Sequence, residues 1–373
     1  MSLKYNNYFV LYGLLQIVFG VLGVTMSQQS IAQNTSSLKK SAPLYQNGFD
    51  LASGGASLTR ATQEGVIFAN PSLIPIGDGI WRSFYGKNTF AVSEGSLNIV
   101  KSVLESSSAN NIASNILQNI FDKPAYLNNA TALGLLTSYV GIGGLSSFNF
   151  SMYGEKFGSI GLPELSVKSN SYAGVVLSAG TTLSDYLSIG ISPKYIYNTQ
   201  IDTTLSVGDL SNLNQGLNKL KNSLTQGSGI ATDFGATLQV RSKHFDVRVA
   251  GVVTDFGNTT FSGSNPPWLQ TYHAGIGLTL HDNSNALHCA ADYRDLTNVY
   301  NEPLSKKMYM GCKLIITKWI AFGYGLLQGW PSYGMVLNLF VARIEAGTYT
   351  TDLGASPGLS PRTIYFLTLG YEL

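Results

Sequence analysis

Charged side chains are scarce in this sequence. Asp, Glu, Lys and Arg make up 12% of the 373 residues, about half of the share that is usual in soluble domains. A soluble surface of this size needs more charge, whereas a wall that faces lipid needs less. The formal net charge of +2 gives no reason to expect nucleic acid as a partner. The composition therefore favours a chain that exposes much of its surface to lipid.

Long apolar runs are also missing, with one exception. After the first thirty residues, no stretch reaches the ~20 apolar residues of a transmembrane helix. Near the start, Lys4 precedes an apolar region from Tyr8 to Met26, and Ser30-Ile31-Ala32 follows. This order predicts a signal peptide over residues 1–32. An uncleaved membrane anchor is the alternative interpretation.

Patterns of catalytic and metal-binding residues are lacking too. None of the four histidines lies near cysteines or carboxylates at metal-ligand spacing, so we expect no metal. Neither a P-loop nor a Gly-x-Ser-x-Gly elbow occurs, so we expect no cofactor and no enzyme activity. A hydrolase built on an inward Ser and His is the alternative, although nothing in the sequence selects a pair.

The sequence shows strict alternation instead. In the second half of residues 172–198, one parity is apolar and comprises Leu187, Ile189, Ile191, Pro193, Tyr195 and Tyr197. The other parity is mostly small or polar, so a strand here would have one apolar and one polar face. Ser184-Asp185 separates the two halves, the length of a tight hairpin turn. Runs of about ten residues suit strands that cross a membrane at a tilt.

This unit repeats and predicts an all-β fold, a transmembrane antiparallel up-and-down β-barrel of about 14 strands. The predicted strands are 79–91, 139–152, 161–168, 172–183, 186–198, 229–241, 244–254, 270–281, 286–295, 306–317, 319–328, 332–339, 341–350 and 363–373. Long and tight connections alternate between them, which puts both termini on the short, periplasmic side. Helical spacing of apolar residues predicts helical extracellular loops at about 92–138 and 199–228, with a short helix over Leu127 to Leu136. The first of these loops either packs on the barrel rim or catches an apolar ligand.

Charged residues within the predicted strands share the inward parity: Asp246, Arg248, Asp292, Arg294, Arg343 and Glu345. Because a charge on the lipid face costs a few kcal/mol at mid-bilayer, we predict a lumenal charged network. Satisfying buried charge explains this network better than catalysis does. Cys289 and Cys312 have the outward parity, and pairing their strands with matched ends places them opposite each other. They either form a disulfide or remain unbonded as two small apolar residues on the outer wall.

The segment after the predicted signal peptide carries two short motifs, Gly54-Gly55-Ala56 and Asn70-Pro71-Ser72. It resembles the N-terminal region of the long-chain fatty-acid transporter (FadL) superfamily, in which Gly-Gly-Ala and a later Asn-Pro-Ala fold inside the barrel as a hatch. Ser72 stands where alanine is usual. The resemblance implies a lead and hatch over 33–78, a barrel over 79–373, and ligand-binding or gating roles for Gly54, Gly55, Asn70 and Pro71. Ordinary turns are the alternative explanation of both motifs.

The C-terminal part carries a second resemblance. Residues 325–334 and 349–354 are similar to TraF-like and uncharacterised barrels of the same superfamily, with Leu327, Trp330 and Asp352 as departures from their pattern. The alternating residues 367–373 resemble the assembly signal of outer-membrane proteins, although a terminal Phe or Trp is more usual than Leu373.

The resemblance implies passage of a hydrophobic small molecule across the outer membrane of a Gram-negative bacterium. The alternative is a structural or assembly barrel of the TraF-like or secretion-scaffold type, with a protein partner and no transport role. A general porin fits less well, because it should have more lumenal charge and no hatch. The expected partners are therefore outer-membrane lipid and either a hydrophobic small molecule or a protein.

Overall fold

The structure is a computed structural model that describes residues 47–60, 62–76, 81–98, 123–155, 164–206, 208–209, 213–282, 285–352 and 361–372. Three predictions lie outside these residues: the signal peptide, the lead before Asn47, and the helical face of the first loop beyond residue 98. Leu373 also lies outside them.

Fourteen antiparallel strands form one closed barrel, which confirms the predicted fold class. Each strand pairs with its neighbours in the chain, and the first pairs with the last to close the ring. The strands are β1 Trp81–Ser93, β2 Ala125–Thr137, β3 Val140–Glu155, β4 Glu164–Ser184, β5 Leu187–Ser206, β6 Thr225–Arg241, β7 Phe245–Thr254, β8 Thr271–Asp282, β9 Asn285–Tyr293, β10 Met308–Thr317, β11 Ile320–Leu327, β12 Trp330–Leu339, β13 Ala342–Asp352 and β14 Pro361–Glu372.

Four of the helices are short elements whose full bounds the structure describes: α1 Gly48–Ala52, α2 Gln63–Phe68, α3 Leu213–Asn222 and α4 Leu304–Lys307. A 3-10 helix covers Pro71–Ile76. Among the described residues, no helix has the length and apolar character needed to span a membrane. In the connection that holds α3, Lys219 donates to Asp209 at 2.8 Å, and this hydrogen bond lowers the pKa of Asp209 to about 2.

The two ends of the barrel differ in the lengths of their connections. At one end, called here the short-turn end, each connection has two or three residues: 138–139, 185–186, 242–244, 283–284, 318–319 and 340–341. At the other, the long-loop end, the connections are 94–124, 156–163, 207–224, 255–270, 294–307, 328–329 and 353–360. Only 328–329 is tight there. Since β1 starts and β14 ends at the short-turn end, the segregation of loop lengths follows the prediction.

Burial alternates along the strands as the hydrophobic pattern predicts. In β5, Ile189 and Tyr195 are exposed on the outer surface, whereas Ser188 and Lys194, which have the opposite parity, are buried. The same alternation holds in β6, where Phe234 is exposed and Asp233 is buried. The polar face therefore points into the barrel and the apolar face points out, as a lipid-facing wall requires.

The prediction of a short helix over Leu127 to Leu136 is wrong, because these residues belong to strand β2. Polar residues on the outer face of this strand interrupt its apolar parity and so hide the strand pattern. Asn88 of β1 satisfies them by donating to Thr131 at 2.8 Å and exchanging longer bonds with Asn129. The predicted loop over 92–138 therefore shrinks to 94–124, of which residues 94–98 are helical.

Two other boundaries also need correction. The strands predicted over 161–168 and 172–183 are one strand, β4, whose polar residues 168–171 suggest a turn but pair with β3 and β5 on both sides. The loop predicted over 199–228 is only 207–224, because β5 and β6 extend further. The predicted number of strands is right because missing β2 and dividing β4 cancel.

Cys289 and Cys312 are direct partners in the β9–β10 ladder, with Cα atoms 4.0 Å apart, and form a disulfide. The predicted register is therefore correct. We expect the denatured, unreduced protein to take up no thiol reagent, since both of its two cysteines are bonded. Mass spectrometry after alkylation, with a reduced sample as the control, measures this. Two alkyl groups on the unreduced chain would contradict the pairing.

Candidate functional site

The described residues of 47–76, called here the N-terminal segment, pack against the inner face of the wall. At its start, α1 contacts β11, β12, β13 and β14, and at its end the 3-10 helix contacts β4, β5 and β6. Between them, α2 contacts β2, β3 and β4. Since its two ends touch different parts of the ring, the segment crosses the interior. Phe49, Ile67, Leu73 and Ile74 are at most 1% exposed.

Glycines of the wall mark where the segment approaches most closely. A Cβ atom at Gly311 or Gly325 would overlap the backbone of Ser53 or Gly54. On the opposite side, a Cβ atom at Gly190 or Gly235 would overlap Pro71 or Asn70. The inward glycines of the strands therefore leave room for the segment's backbone.

Gly54 and Gly55 lie where the chain turns directly against β10. Both have positive φ angles, 86° and 74°, which residues other than glycine rarely adopt. A Cβ atom at Gly54 would also overlap the carbonyl of Met310. Local geometry thus explains why this first motif needs two glycines.

Asn70 connects three parts of the site and is completely buried. Its Nδ2 donates to the carbonyl of Leu58 at 2.7 Å and to Thr237 Oγ1 of β6 at 3.2 Å. Its Oδ1 accepts from the amide and the hydroxyl of Ser72, at 3.1 and 2.7 Å. Ser72 Oγ in turn lies 2.7 Å from Thr237 Oγ1. The serine that replaces the usual alanine thus adds a direct contact with the wall.

Asp292 of β9 and Arg294, which follows this strand, hold the middle of the segment. The backbone amides of Ser57 and Leu58 donate to Asp292 Oδ2 at 2.7 and 3.2 Å. Arg294 donates to the carbonyl of Gly55 at 2.7 Å and lies 3.6 Å from Asp292 Oδ2. Both predicted inward charges therefore bind the segment's backbone.

Arg248 and Glu345 hold two further points of the segment. Arg248 donates to the carbonyl of Thr59 at 3.2 Å and pairs with Asp246 at 3.3 Å. Glu345 accepts from Asn47 at 3.4 Å. Arg343 lies 2.6 Å from the same Glu345 oxygen.

The six predicted charges include three neighbouring pairs, Asp246 with Arg248, Asp292 with Arg294, and Arg343 with Glu345. Each pair contributes at least one bond to the N-terminal segment. The inward parity of these charges was evident from the sequence, whereas their partners in the segment were not.

Lys87, Arg60 and Lys194 are buried cations that sequence analysis did not assign to the site. Lys87 lies 3.4 Å from Glu345. Arg60 donates to the hydroxyl of Ser53 and to the carbonyl of Gly311, both at 2.8 Å. Lys87 and Lys194 have the inward parity in the sequence, and this parity could have identified them as lumenal charges. For Arg60 no sequence signal identifies the partner.

Connection 255–270 packs on the inner wall near the long-loop end. Trp268 is 2% exposed and makes edge-on contacts with Phe261 and with Tyr172 of β4, at centroid distances of 5.1 and 6.2 Å. Tyr172 and Trp268 belong to the same apolar cluster as Ile67, Phe68 and Leu73 of the segment. The segment and this connection thus close a continuous apolar region inside the barrel.

Among the described residues, no group of three or more His, Cys, Asp or Glu side chains is placed so that it could hold a metal ion. The site as described is an apolar interior crossed by a segment that hydrogen bonds and buried charges hold in place.

Comparisons with known proteins show the fold. No protein-family model matches the sequence, and no curated protein matches it either. The structure is similar to the toluene transporter TbuX of Ralstonia pickettii, with 14% identity, a TM-score of 0.51, and coverage of 91% of this chain and 99% of that one. It is less similar to the CymD monoaromatic hydrocarbon channel, with 10% identity, a TM-score of 0.42, and coverage of 87% and 96%. The chain thus has the fold of TbuX, which agrees with the barrel fold that the FadL resemblance predicts.

We expect replacement of Gly190 by alanine to push the 3-10 helix off the wall. The new methyl group would overlap the backbone of Pro71 and Ser72, and overpacking of this kind costs about 1–3 kcal/mol. Gly251→Ala of β7 is the matched control, because a Cβ atom there meets nothing within 4 Å. Hydrogen exchange of residues 70–76 should rise in the first variant only. Equal exchange in both variants would contradict close packing at Gly190.

Proposed function

We propose that this chain passes a hydrophobic small molecule across the outer membrane, with the N-terminal segment as its hatch. The observation that carries the proposal is the packing of this segment across the interior of a closed barrel. A solute that enters a closed barrel with an obstructed interior can leave it only if the obstruction moves or a gap opens in the wall, and the contacts described above favour movement of the segment. The fold shared with the toluene transporter TbuX supports a hydrophobic solute.

The contacts of the segment suggest how it could yield without unfolding the barrel. Apart from the bond of Arg60 to the carbonyl of Gly311, the bonds described above between the segment and the wall end on side chains of the wall, such as Thr237, Asp292 and Arg248. None of these contacts is part of the strand ladders, which stay complete when the segment shifts. The apolar side chains around Ile67 and Leu73 would form the path that the solute follows.

The alternative function is a structural or assembly barrel with a protein partner. The comparison with TbuX, which is named as a transporter, gives it no support. Such a barrel would use the segment as a permanent filler. Uptake measurements therefore distinguish the two functions.

Deletion of residues 47–76 tests the proposal. We expect the barrel to fold, as shown by altered gel migration before boiling, because closed hydrogen-bonded barrels resist detergent. Cells that carry the deletion variant should take up radiolabelled toluene or palmitate faster than cells with the unaltered chain. Replacing Asn70-Pro71 by two alanines should give a smaller increase. A folded deletion variant with unchanged uptake of both solutes would reject transport.

A further inference from the structure

Four polar side chains lie together on the outer face of strands β1 to β3, where a wall in contact with lipid should be apolar. Thr131 of β2 has Asn88 of β1 and Ser146 of β3 as its direct partners in the two ladders. Asn129 lies next to Thr131 on the same face of β2. Asn88, Asn129 and Ser146 are exposed, and Thr131 is half-buried. We call these four residues the outer polar cluster.

The outer polar cluster lies at mid-height of the wall. Thr131 is the central residue of the 13-residue strand β2, and at about 3.3 Å per residue each half of that strand is roughly 20 Å long. The cluster is therefore far from the headgroups on both sides of a hydrocarbon core about 30 Å thick. In the middle of other strands the exposed outer residues are apolar, such as Phe234 of β6, Ile276 of β8 and Phe322 of β11.

Hydrogen bonds within the cluster use only part of its bonding capacity. Asn88 donates to Thr131 at 2.8 Å and exchanges longer bonds with Asn129. A side-chain amide carries two N–H donors and an oxygen with two lone pairs, so Asn129 keeps one N–H and both amides keep acceptor capacity. Among the described residues, the hydroxyl groups of Thr131 and Ser146 have no acceptor. Lipid tails cannot bind these groups, and an unbonded polar group is unfavourable in hydrocarbon.

The surface beside the cluster has a raised part and a shallow part. Phe90 and Phe148 flank Asn129 in the neighbouring strands, and their side chains are 47% and 45% exposed. Ser146 and its partner Ala173 of β4 are exposed and short. Small residues allow two surfaces within a membrane to approach each other closely. A ring next to a shallow area is a shape that can fit a copy of itself.

We propose that the outer face of β1 to β4 is the interface of a dimer that this chain forms with a second copy of itself in the membrane. In a twofold-symmetric interface, each copy contributes the same surface. The free N–H and hydroxyl groups of one cluster would donate to the amide oxygens of the other. The ring of Phe148 from each copy would pack over Ser146 and Ala173 of the other copy.

The chemistry of the cluster favours a second copy over other occupants. All of its groups are neutral, so it offers no counterion to a charged partner surface. Its amides both donate and accept, so it complements itself. The inference goes beyond the proposed function and needs only the membrane location on which that function rests.

Energy transfer between labelled copies in liposomes provides the test. Asp185→Cys, in an exposed turn, gives a single labelling site, because the two native cysteines are bonded to each other. Full-length protein with a donor dye and full-length protein with an acceptor dye are reconstituted together over a series of protein-to-lipid ratios. We expect energy transfer above that of random proximity, which falls on dilution as a monomer–dimer equilibrium requires.

Two variants of this face should weaken the dimer. In Asn88→Leu with Asn129→Leu, which removes the amides, we expect the dissociation constant to rise about tenfold, the value of one hydrogen bond in a membrane. Ala173→Trp fills the shallow area and should weaken the dimer at least as much. Ala274→Trp, on the outer face of β8, is the matched control and should leave energy transfer unchanged. Gel migration before boiling checks that each barrel is folded.

Energy transfer no greater than random in the unaltered protein would overturn the proposal, whether or not any variant folds, and would leave a different protein as the occupant of this face. Equal transfer in Ala173→Trp and Ala274→Trp would overturn it too, because the dimer would then use another surface. A purely structural role of the amides predicts that Asn88→Leu with Asn129→Leu lowers the stability of the barrel without changing dimerisation. None of these results affects the uptake measurement on the deletion variant.

Discussion

Replacing Asp292 by alanine should release the middle of the N-terminal segment from the wall. The side chain of Asp292 is fully buried and accepts from the amides of Ser57 and Leu58. Its loss leaves both amides without that acceptor and Arg294 without its carboxylate. Removing one partner of a buried ion pair typically costs about 3–5 kcal/mol. We therefore expect the largest single effect on the segment at this position.

Hydrogen exchange of residues 55–60 in the folded barrel measures this release. Asp292→Asn should have a smaller effect, because its amide oxygen can still accept from the backbone although the charge is gone. Asp185→Ala, in an exposed turn, is the matched control and should leave exchange unchanged. Exchange at Ser57 and Leu58 that is the same in Asp292→Ala as in the unaltered protein would show that these bonds do not hold the segment.

Replacing Lys194 by methionine should detach connection 255–270 from the inner wall. Lys194 lies between Asp233, at 2.8 Å, and Asp255, at 3.0 Å, and its side chain is 1% exposed. Without the ammonium, two buried carboxylates face each other. We expect the free energy of unfolding to fall by about 3–5 kcal/mol and Trp268 to become accessible to a soluble quencher.

Denaturant titration and quenching of Trp268 fluorescence measure the two effects of this change. Lys243→Met, on an exposed turn, provides the control for loss of a lysine. Adding Asp233→Asn to Lys194→Met should restore part of the stability, since it removes one of the two unpaired charges. A Lys194→Met protein with an unchanged denaturation midpoint would mean that the triad contributes nothing.

The fold was largely predictable because lipid and lumen impose opposite chemistry on alternate residues. In residues 187–195 of β5 and 233–241 of β6 that alternation is uninterrupted, and the predicted faces agree with the observed burial. The prediction failed where the rule is locally broken. In β2, Asn129 and Thr131 stand on the outer face and are satisfied by Asn88 of the neighbouring strand. A contact between strands cannot be read from either strand alone.

The sequence predicts which charged residues of the site face the lumen, but not which groups they contact. Parity identified Asp292, Arg248 and Glu345 as inward charges, because a charged side chain in the wall that faced lipid would cost a few kcal/mol. Their partners are mostly backbone groups of the N-terminal segment, and backbone groups carry no sequence signal. Lys313 shows the same limit, since only the packing of α1 reveals that its neighbour is the ring of Phe49.

A reversible lock on the N-terminal segment tests most directly whether it must move for solute to pass. Ser72 and Thr237 are suited to a cysteine pair, because their side-chain oxygens lie 2.7 Å apart. The pair would be built in a chain with Cys289 and Cys312 changed to serine, so that only the new bond can form. With the lock oxidised, we predict that uptake of toluene and palmitate stops, and that reduction restores it. Equal uptake in the oxidised and reduced states would contradict the role of the segment as a hatch.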